Sequence, residues 1–314
     1  MSDVAVIGAG AWGTALALQA HRAGARVTLW ARTPLEGRTS PHLPGHPLPP
    51  GIDLATELPT APTAATLLVV PVQHMRAVVA RLRPTGPLVI CAKGIERGTG
   101  LLPQEVVAAI HPGAETAILT GPNFAHEVAS GLPAAAVVAA YTAPLRAHLV
   151  ALLGSAAFRL YGNDDPVGAQ LGGAAKNVIA IAAGAVIGAG LGENARAVLI
   201  TRGLAELARL VTALGGRADT VSGLSGLGDL LLTCTGPSSR NYRCGLALGQ
   251  GEHLTAILSR GSGLIEGVAT APALLTRAQG VDLPICAAVA ALLDGATTLH
   301  QAIAALMSRP TRDE

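Results

Sequence analysis

Hydrophobic positions along the chain fall into two regimes. Up to about residue 162, short apolar runs alternate with segments of helical spacing, and beyond "YGNDDPVG" only the helical spacing continues. The runs Val4–Ile7, Arg26–Trp30, Thr66–Val70, Leu88–Cys91, Ala117–Leu119, Ala134–Ala139 and Phe158–Tyr161 predict strands. Several are apolar throughout rather than alternating, as strands covered on both faces must be. Strands and helices in alternation predict βαβ units, and hence an α/β fold with a Rossmann-type doubly wound sheet. Residues 33–52 interrupt this rhythm with prolines and glycines and predict an irregular surface connection.

In the second regime, Asp165 and Pro166 suit the cap and first residue of a helix. "ARAVLITRGLAELARLVTALGG" then sets Ala, Leu and Ile at three-four spacing against Arg and Glu. The expected organisation is a dinucleotide-binding Rossmann domain over residues 1–164, followed by an all-α, substrate-binding C-terminal domain over 165–314.

Composition narrows the class. The 314 residues are 50% hydrophobic but only 2% aromatic, so Ala, Val, Leu and Ile must build the core, with 38 glycines allowing close backbone approach. Net charge is +2 with no basic run, so no nucleic-acid partner is expected. No basic segment precedes "VAVIGAGAWG", so no signal peptide is expected either. The four cysteines contain no C-x-x-C pair and read as small core residues in a reducing, cytoplasmic compartment. His42 and His46 have ligand spacing, but the prolines around them forbid a helix, and no metal site is expected. The uncharged stretch between Lys176 and Glu193 is shorter than the roughly 20 residues a spanning helix needs. It holds glycines and Asn177 as well, so it predicts a buried helix and no membrane insertion.

Lys176, at the head of that oily stretch, is the first candidate for chemistry. Burying an unpaired ammonium is costly; the residue is either at the wet end of a buried helix or placed for a purpose. In "VAVIGAGAWG", Gly8, Gly10 and Gly13 follow a strand and open a helix, the context of a dinucleotide fingerprint. Where an NAD-selective site would place an acid after the second strand stands Arg32, which can accept a 2′-phosphate or simply be solvated. Lys93, directly after a strand, can reach a phosphate or a carbonyl, with a solvated loop lysine as the alternative. Gly121 turns the chain before Asn123, which suits the N-cap of a helix running to Ser130. Gly223, Gly226 and Gly228 allow close helix approach just ahead of Asp229. Ser239 caps a helix begun by Arg240 and Asn241, a donor set suited to a phosphate dianion or to an ordinary helix start.

"GAGAWGTALA", "AKGIE", "GPNFAHEVASGLP", "LGGAAKNVIAIAAG", "ENARAVLITRGLAE", "GLSGLGDLLLTCTG", "SRNYRCGLALGQG" and "EGVATA" together resemble the bacterial NAD(P)-dependent glycerol-3-phosphate dehydrogenases, in order over nearly the whole chain. The resemblance implies reduction of dihydroxyacetone phosphate to sn-glycerol 3-phosphate by NADPH or NADH, supplying phospholipid synthesis, and a homodimer. It implies that Lys176 is the catalytic proton donor and acceptor. Substrate contacts are implied at Lys93, Gly121, Asn123, Lys176, Asp229, Ser239, Arg240 and Asn241. Cofactor contacts are implied at Gly8, Gly10, Ala11, Trp12, Gly13, Arg32, Lys93, Ala125, Arg240, Leu264 and Glu266. Gly172 and Gly173 are expected to open the helix to ligand. The chain departs from the family pattern at Asn123, where Ser or Thr is usual, and in a shortened segment after Arg32. A related β-hydroxyacid dehydrogenase would share the general plan, and the phosphate-suited cluster of Lys93 and Ser239 to Asn241 discriminates against it.

Overall fold

Val4 to Ile7 are closed off from solvent on both faces, which is why the first strand, β1 (Asp3–Ile7), is apolar without alternation. The computed structural model describes residues 3–261 and 263–310; the ends of the two expected domains, 1–2 and 311–314, lie outside the described residues. β1 is joined by β2 (Arg26–Trp30), β3 (Ile52–Ala55), β4 (Ala65–Leu68), β5 (Leu88–Ile90), β6 (Thr116–Thr120), β7 (Ala134–Ala139) and β8 (Phe158–Asn163). They make one sheet in the order β3-β2-β1-β4-β5-β6-β7-β8. The strands from β3 to β6 along this order are mutually parallel; β7 pairs antiparallel to β6, with Thr120 opposite Val137, and β8 runs parallel to β7. The order reverses between β1 and β4, and the crevice beyond their carboxyl ends is where such a sheet receives a ligand.

Two features of the sheet half differ from the expectation. β3 was not foreseen, because only Ile52 of its four residues is fully buried and it follows directly on a run of prolines. The connection ahead of it is also more than surface loop. It contains a 3₁₀ turn at Glu36–Arg38 and buries Ser40, Leu43 and Leu48. The Arg38 guanidinium ties it together by donating to the carbonyls of Leu48 (3.0 Å), Pro49 (2.8 Å) and Ile52. Prolines ruled out helix and sheet ladders there, and an arginine satisfies the carbonyls instead.

Past β8, the described elements are all helical. The central helix, Pro166–Gly188, starts as expected: Asp165 accepts from the Gly168 amide at 2.8 Å, with Pro166 as the first residue. It is the one described helix long and apolar enough to cross a bilayer, but 89% of its most apolar window lies inside the protein. The helices Gly192–Ala213, Arg240–Gly249 and Glu266–Ala278 wrap it.

Close packing around the central helix depends on missing side chains. A Cβ at Gly184 or Gly188 would overlap the carbonyl oxygens of Tyr242 and Leu246, and one at Gly245 or Gly249 those of Ile181 and Ala185. The two helices therefore meet backbone to backbone, so a chain poor in aromatic residues still fills its core. Gly245→Ala is expected to force these helices apart and lower stability by about 1–3 kcal/mol. A shift of the urea midpoint checks it, and an unchanged midpoint would show that the contact is looser than drawn.

Candidate active site

The glycine turn after β1 has the shape a dinucleotide needs. Gly8 sits at φ +119°, and a Cβ there would crowd the Val70 amide at 3.1 Å. A Cβ at Gly13 would overlap the Gly8 carbonyl oxygen, whereas one at Gly10 would meet nothing within 4 Å. Gly8 thus makes the turn, Gly13 lets helix Ala11–Arg22 press on the strand, and Gly10 borders open space. No side chain caps that helix, so its first amides, including those of Ala11 and Trp12, face forward without an intrahelical partner. Such a cradle fits a pyrophosphate. Arg32 is exposed, two residues past Trp30, whose carbonyl accepts from the Gly8 amide at 3.1 Å.

Lys93 follows β5 and Gly121 follows β6, so both stand at the same edge of the sheet. The central helix comes up against this edge: a Cβ at Gly173 would sit 3.2 Å from Thr120 Oγ1 and 3.4 Å from the Lys93 stem. One turn further on is Lys176, 7% exposed, and opposite it Asp229, fully buried at the start of helix Asp229–Cys234. Lys176 Nζ bonds Asp229 Oδ1, while Lys93 Nζ bonds Asp229 Oδ2 at 2.6 Å. One carboxylate from the helical half therefore holds an ammonium from each half of the molecule. Lys176 Nζ also donates to Thr233 Oγ1 at 2.9 Å, and Lys93 Nζ to the Gly121 carbonyl at 3.2 Å.

Burial pulls the Lys176 amine down from the usual lysine range to about 8. Asp229 resists this shift, and the neighbouring Lys93 adds to it. The amine thus changes charge at about pH 8, where an ordinary lysine would stay charged.

Behind the lysines runs a chain of amides. Gly267 N donates to Asn241 Oδ1 (2.9 Å), Asn241 Nδ2 to Asn177 Oδ1 (2.9 Å), and Asn177 Nδ2 to Glu266 Oε2 (3.2 Å). It locks the helices Arg240–Gly249 and Glu266–Ala278 to the central helix. Glu266 has its carboxyl pushed up by burial, against the pull of Arg240, Lys176 and Lys93. The Arg240 guanidinium lies beside Gly263, and Ser239 caps its helix by accepting from the Tyr242 amide at 3.2 Å.

The structure thus gathers Lys93, Gly121, Lys176, Asp229, Arg240, Asn241 and Glu266 into one neighbourhood. Asn123 does not cap a helix: the helix is Ala125–Ala129 behind Phe124, and the Asn123 amide donates to the Ala135 carbonyl at 3.0 Å. The asparagine thus reaches across to β7 rather than to the helix behind it. Ala125 packs against the core of the sheet half, and Leu264 is exposed just before the helix that Glu266 opens. Gly172 does not open the helix to ligand, because a Cβ there would overlap the Ser225 carbonyl; it admits the π-helical turn Leu224–Gly228 instead. Asn177 and Thr233 carried no role in the sequence reading. The only signal for either was its polarity, beside Lys176 and one helical turn past Asp229 respectively.

Residues 3–145 match the family model for the NAD-dependent glycerol-3-phosphate dehydrogenase N-terminus, and residues 165–304 the model for its C-terminus. The chain belongs to the NAD-dependent glycerol-3-phosphate dehydrogenase family. It is 57% identical to the glycerol-3-phosphate dehydrogenase [NAD(P)+] of Acidiphilium cryptum, over 99% of this chain and 98% of that one. Identity to the Gluconobacter oxydans protein of the same name is 51%, with the same coverage. Among solved structures, the glycerol-3-phosphate dehydrogenase of Coxiella burnetii superposes with a TM-score of 0.93 at 36% identity, covering 98% of this chain and 99% of that one.

The ion cluster carries an expectation for the pH profile. With Lys176 as the proton donor and acceptor proposed below, the rate of ketone reduction is expected to fall above about pH 8, and the reverse oxidation to rise through the same pH. Asp229→Asn removes the group that holds the proton on, so both limbs are expected to move to lower pH. Rates measured across pH in both directions check this, and limbs unmoved by the substitution would show that another group titrates.

Proposed function

We propose that Lys176 is the proton donor and acceptor of this enzyme, with Lys93, Arg240 and the Ser239 helix start holding the phosphorylated substrate. The reaction is the reduction of dihydroxyacetone phosphate to sn-glycerol 3-phosphate with NAD(P)H, run reversibly. The observation that carries the role of Lys176 is its donor count. An ammonium has three N–H groups; Asp229 and Thr233 take two, leaving one for a substrate oxygen. Lys93 is in the same position, with Asp229 and Gly121 taking two of its three.

When bound, the nicotinamide supplies or receives the hydride. The chain's own work is at the oxygen. As the carbonyl carbon is reduced, negative charge grows on that oxygen, and the Lys176 ammonium stabilises it and then gives up a proton. Asp229 fixes the direction of the amine and, by pairing with both lysines, allows two cations to coexist in a buried place. Lys93 and Arg240 add positive charge for a phosphate dianion, and the N-terminus of helix Arg240–Gly249 adds unpaired amides. Gly8, Gly10, Ala11, Trp12 and Gly13 hold the pyrophosphate, Arg32 stands where a 2′-phosphate would reach, and Ala125, Leu264 and Glu266 complete the cofactor's surroundings. The division at residues 164 and 165 then separates a cofactor half from a substrate half, with the two lysines meeting across it.

Supply of phospholipid precursors, a homodimer and a cytoplasmic location belong to the same reading. The last is supported by four free cysteines, all buried, with burial pushing each thiol up and so away from reactivity.

Lys176→Ala is expected to bind NADPH normally, by fluorescence titration, and to lose at least about a hundredfold in turnover. Unchanged turnover would remove the mechanism. Arg32→Gln is expected to raise KM for NADPH by roughly tenfold while sparing NADH. Equal effects on both cofactors would show that the arginine points elsewhere.

A further inference from the structure

Ser40 is the most buried polar residue of the connection between β2 and β3, with none of its surface exposed. Its hydroxyl donates to the carbonyl of Ala9, inside the glycine turn, at 2.7 Å, and accepts from the His42 amide at 3.3 Å. Thr14 Oγ1 approaches the same carbonyl at 3.4 Å from the helix that follows the turn. Ala9 and Gly10 share one peptide plane, in which the C=O and the N–H point in opposite directions. Whatever fixes the Ala9 oxygen therefore fixes the Gly10 N–H, and Gly10 is the residue of the turn that borders open space.

We propose that Ser40 is a positioning residue for the cofactor: by anchoring the Ala9 carbonyl it aims the Gly10 N–H at the dinucleotide phosphates. The proposal deepens the cofactor reading above and rests on it. It also gives the shortened segment a task. Arg38 folds residues 38–52 into a tight unit by bonding three of its carbonyls, and this unit presents Ser40 to the turn. A free peptide plane would have to be ordered each time a cofactor binds, and a braced one does not.

The test is NADPH binding to the apo protein, followed by fluorescence, for wild type, Ser40→Ala and Ser40→Cys. Ser40→Ala is expected to raise Kd about three- to tenfold, the range for one lost hydrogen bond. KM for NADPH should rise in step, with KM for dihydroxyacetone phosphate unchanged and kcat at saturating cofactor within about twofold. Cysteine fills the space of serine but is a weak donor, so Ser40→Cys should resemble Ser40→Ala. An unchanged Kd in Ser40→Ala overturns the proposal, and so does a Ser40→Cys that binds like wild type, since packing would then be the cause. Failure of the wild type to bind either NADPH or NADH would overturn the cofactor reading itself, and this inference with it.

Discussion

Two ammonium groups share one buried carboxylate, and most of the architecture follows from making that possible. Asp229 has no exposed surface, and each of its oxygens serves a different lysine. Separating the three charges would strand at least one of them in a medium that tolerates it poorly. The cluster is also the stitch between the halves of the molecule, for Lys93 belongs to the sheet and the other two to the helices. The proposed ligand recognition and the attachment of the two halves therefore draw on the same three side chains.

Bringing a lysine so deep into a helical body requires neighbours that can come close. The backbone contact between the central helix and helix Arg240–Gly249, and the π-helical turn seated over Gly172, provide it. With large side chains these helices would stand further off, and Asp229 could not face Lys176 at hydrogen-bond distance. The abundance of glycine and the scarcity of aromatic residues are thus two expressions of one packing solution. The amide chain through Asn241 and Asn177 to Glu266 then fixes the rotation of each helix about the central one.

Much of this was legible in the amino-acid sequence, for physical reasons. β2 and β7 have the bounds expected, and the other predicted strands differ only at their ends; inner strands such as β1 and β5 are buried on both faces and leave unbroken apolar runs. The Asp165 cap and the glycine turn were readable because caps and tight turns admit few residue types. β3 was not, since four residues with one buried side chain carry little pattern. Asn123 misled because its type suits a cap, and only the third dimension shows Ala135 within its reach. Thr233 and Asn177 were silent for a similar reason: a polar residue on an apolar helix announces a partner without saying which. The family resemblance implied Asp229 as a substrate contact; its position between two lysines is apparent only in the folded protein.

The reversal of β7 and β8 has a geometric consequence for the Lys176 amine. Because β8 runs opposite to the first six strands, the chain leaves the sheet at the far edge, and the central helix must climb back past Ala169, which shares a core cluster with Ile118 and Val137, before it reaches the edge where Thr120 and Lys93 stand. Lys176 lies 11 residues, about three turns, beyond the cap at Asp165. That stretch of helix acts as a measuring rod with a fixed phase. One residue added to it or taken from it would swing the amine by about 100° and slide it along the axis, so this is a length the fold cannot let drift.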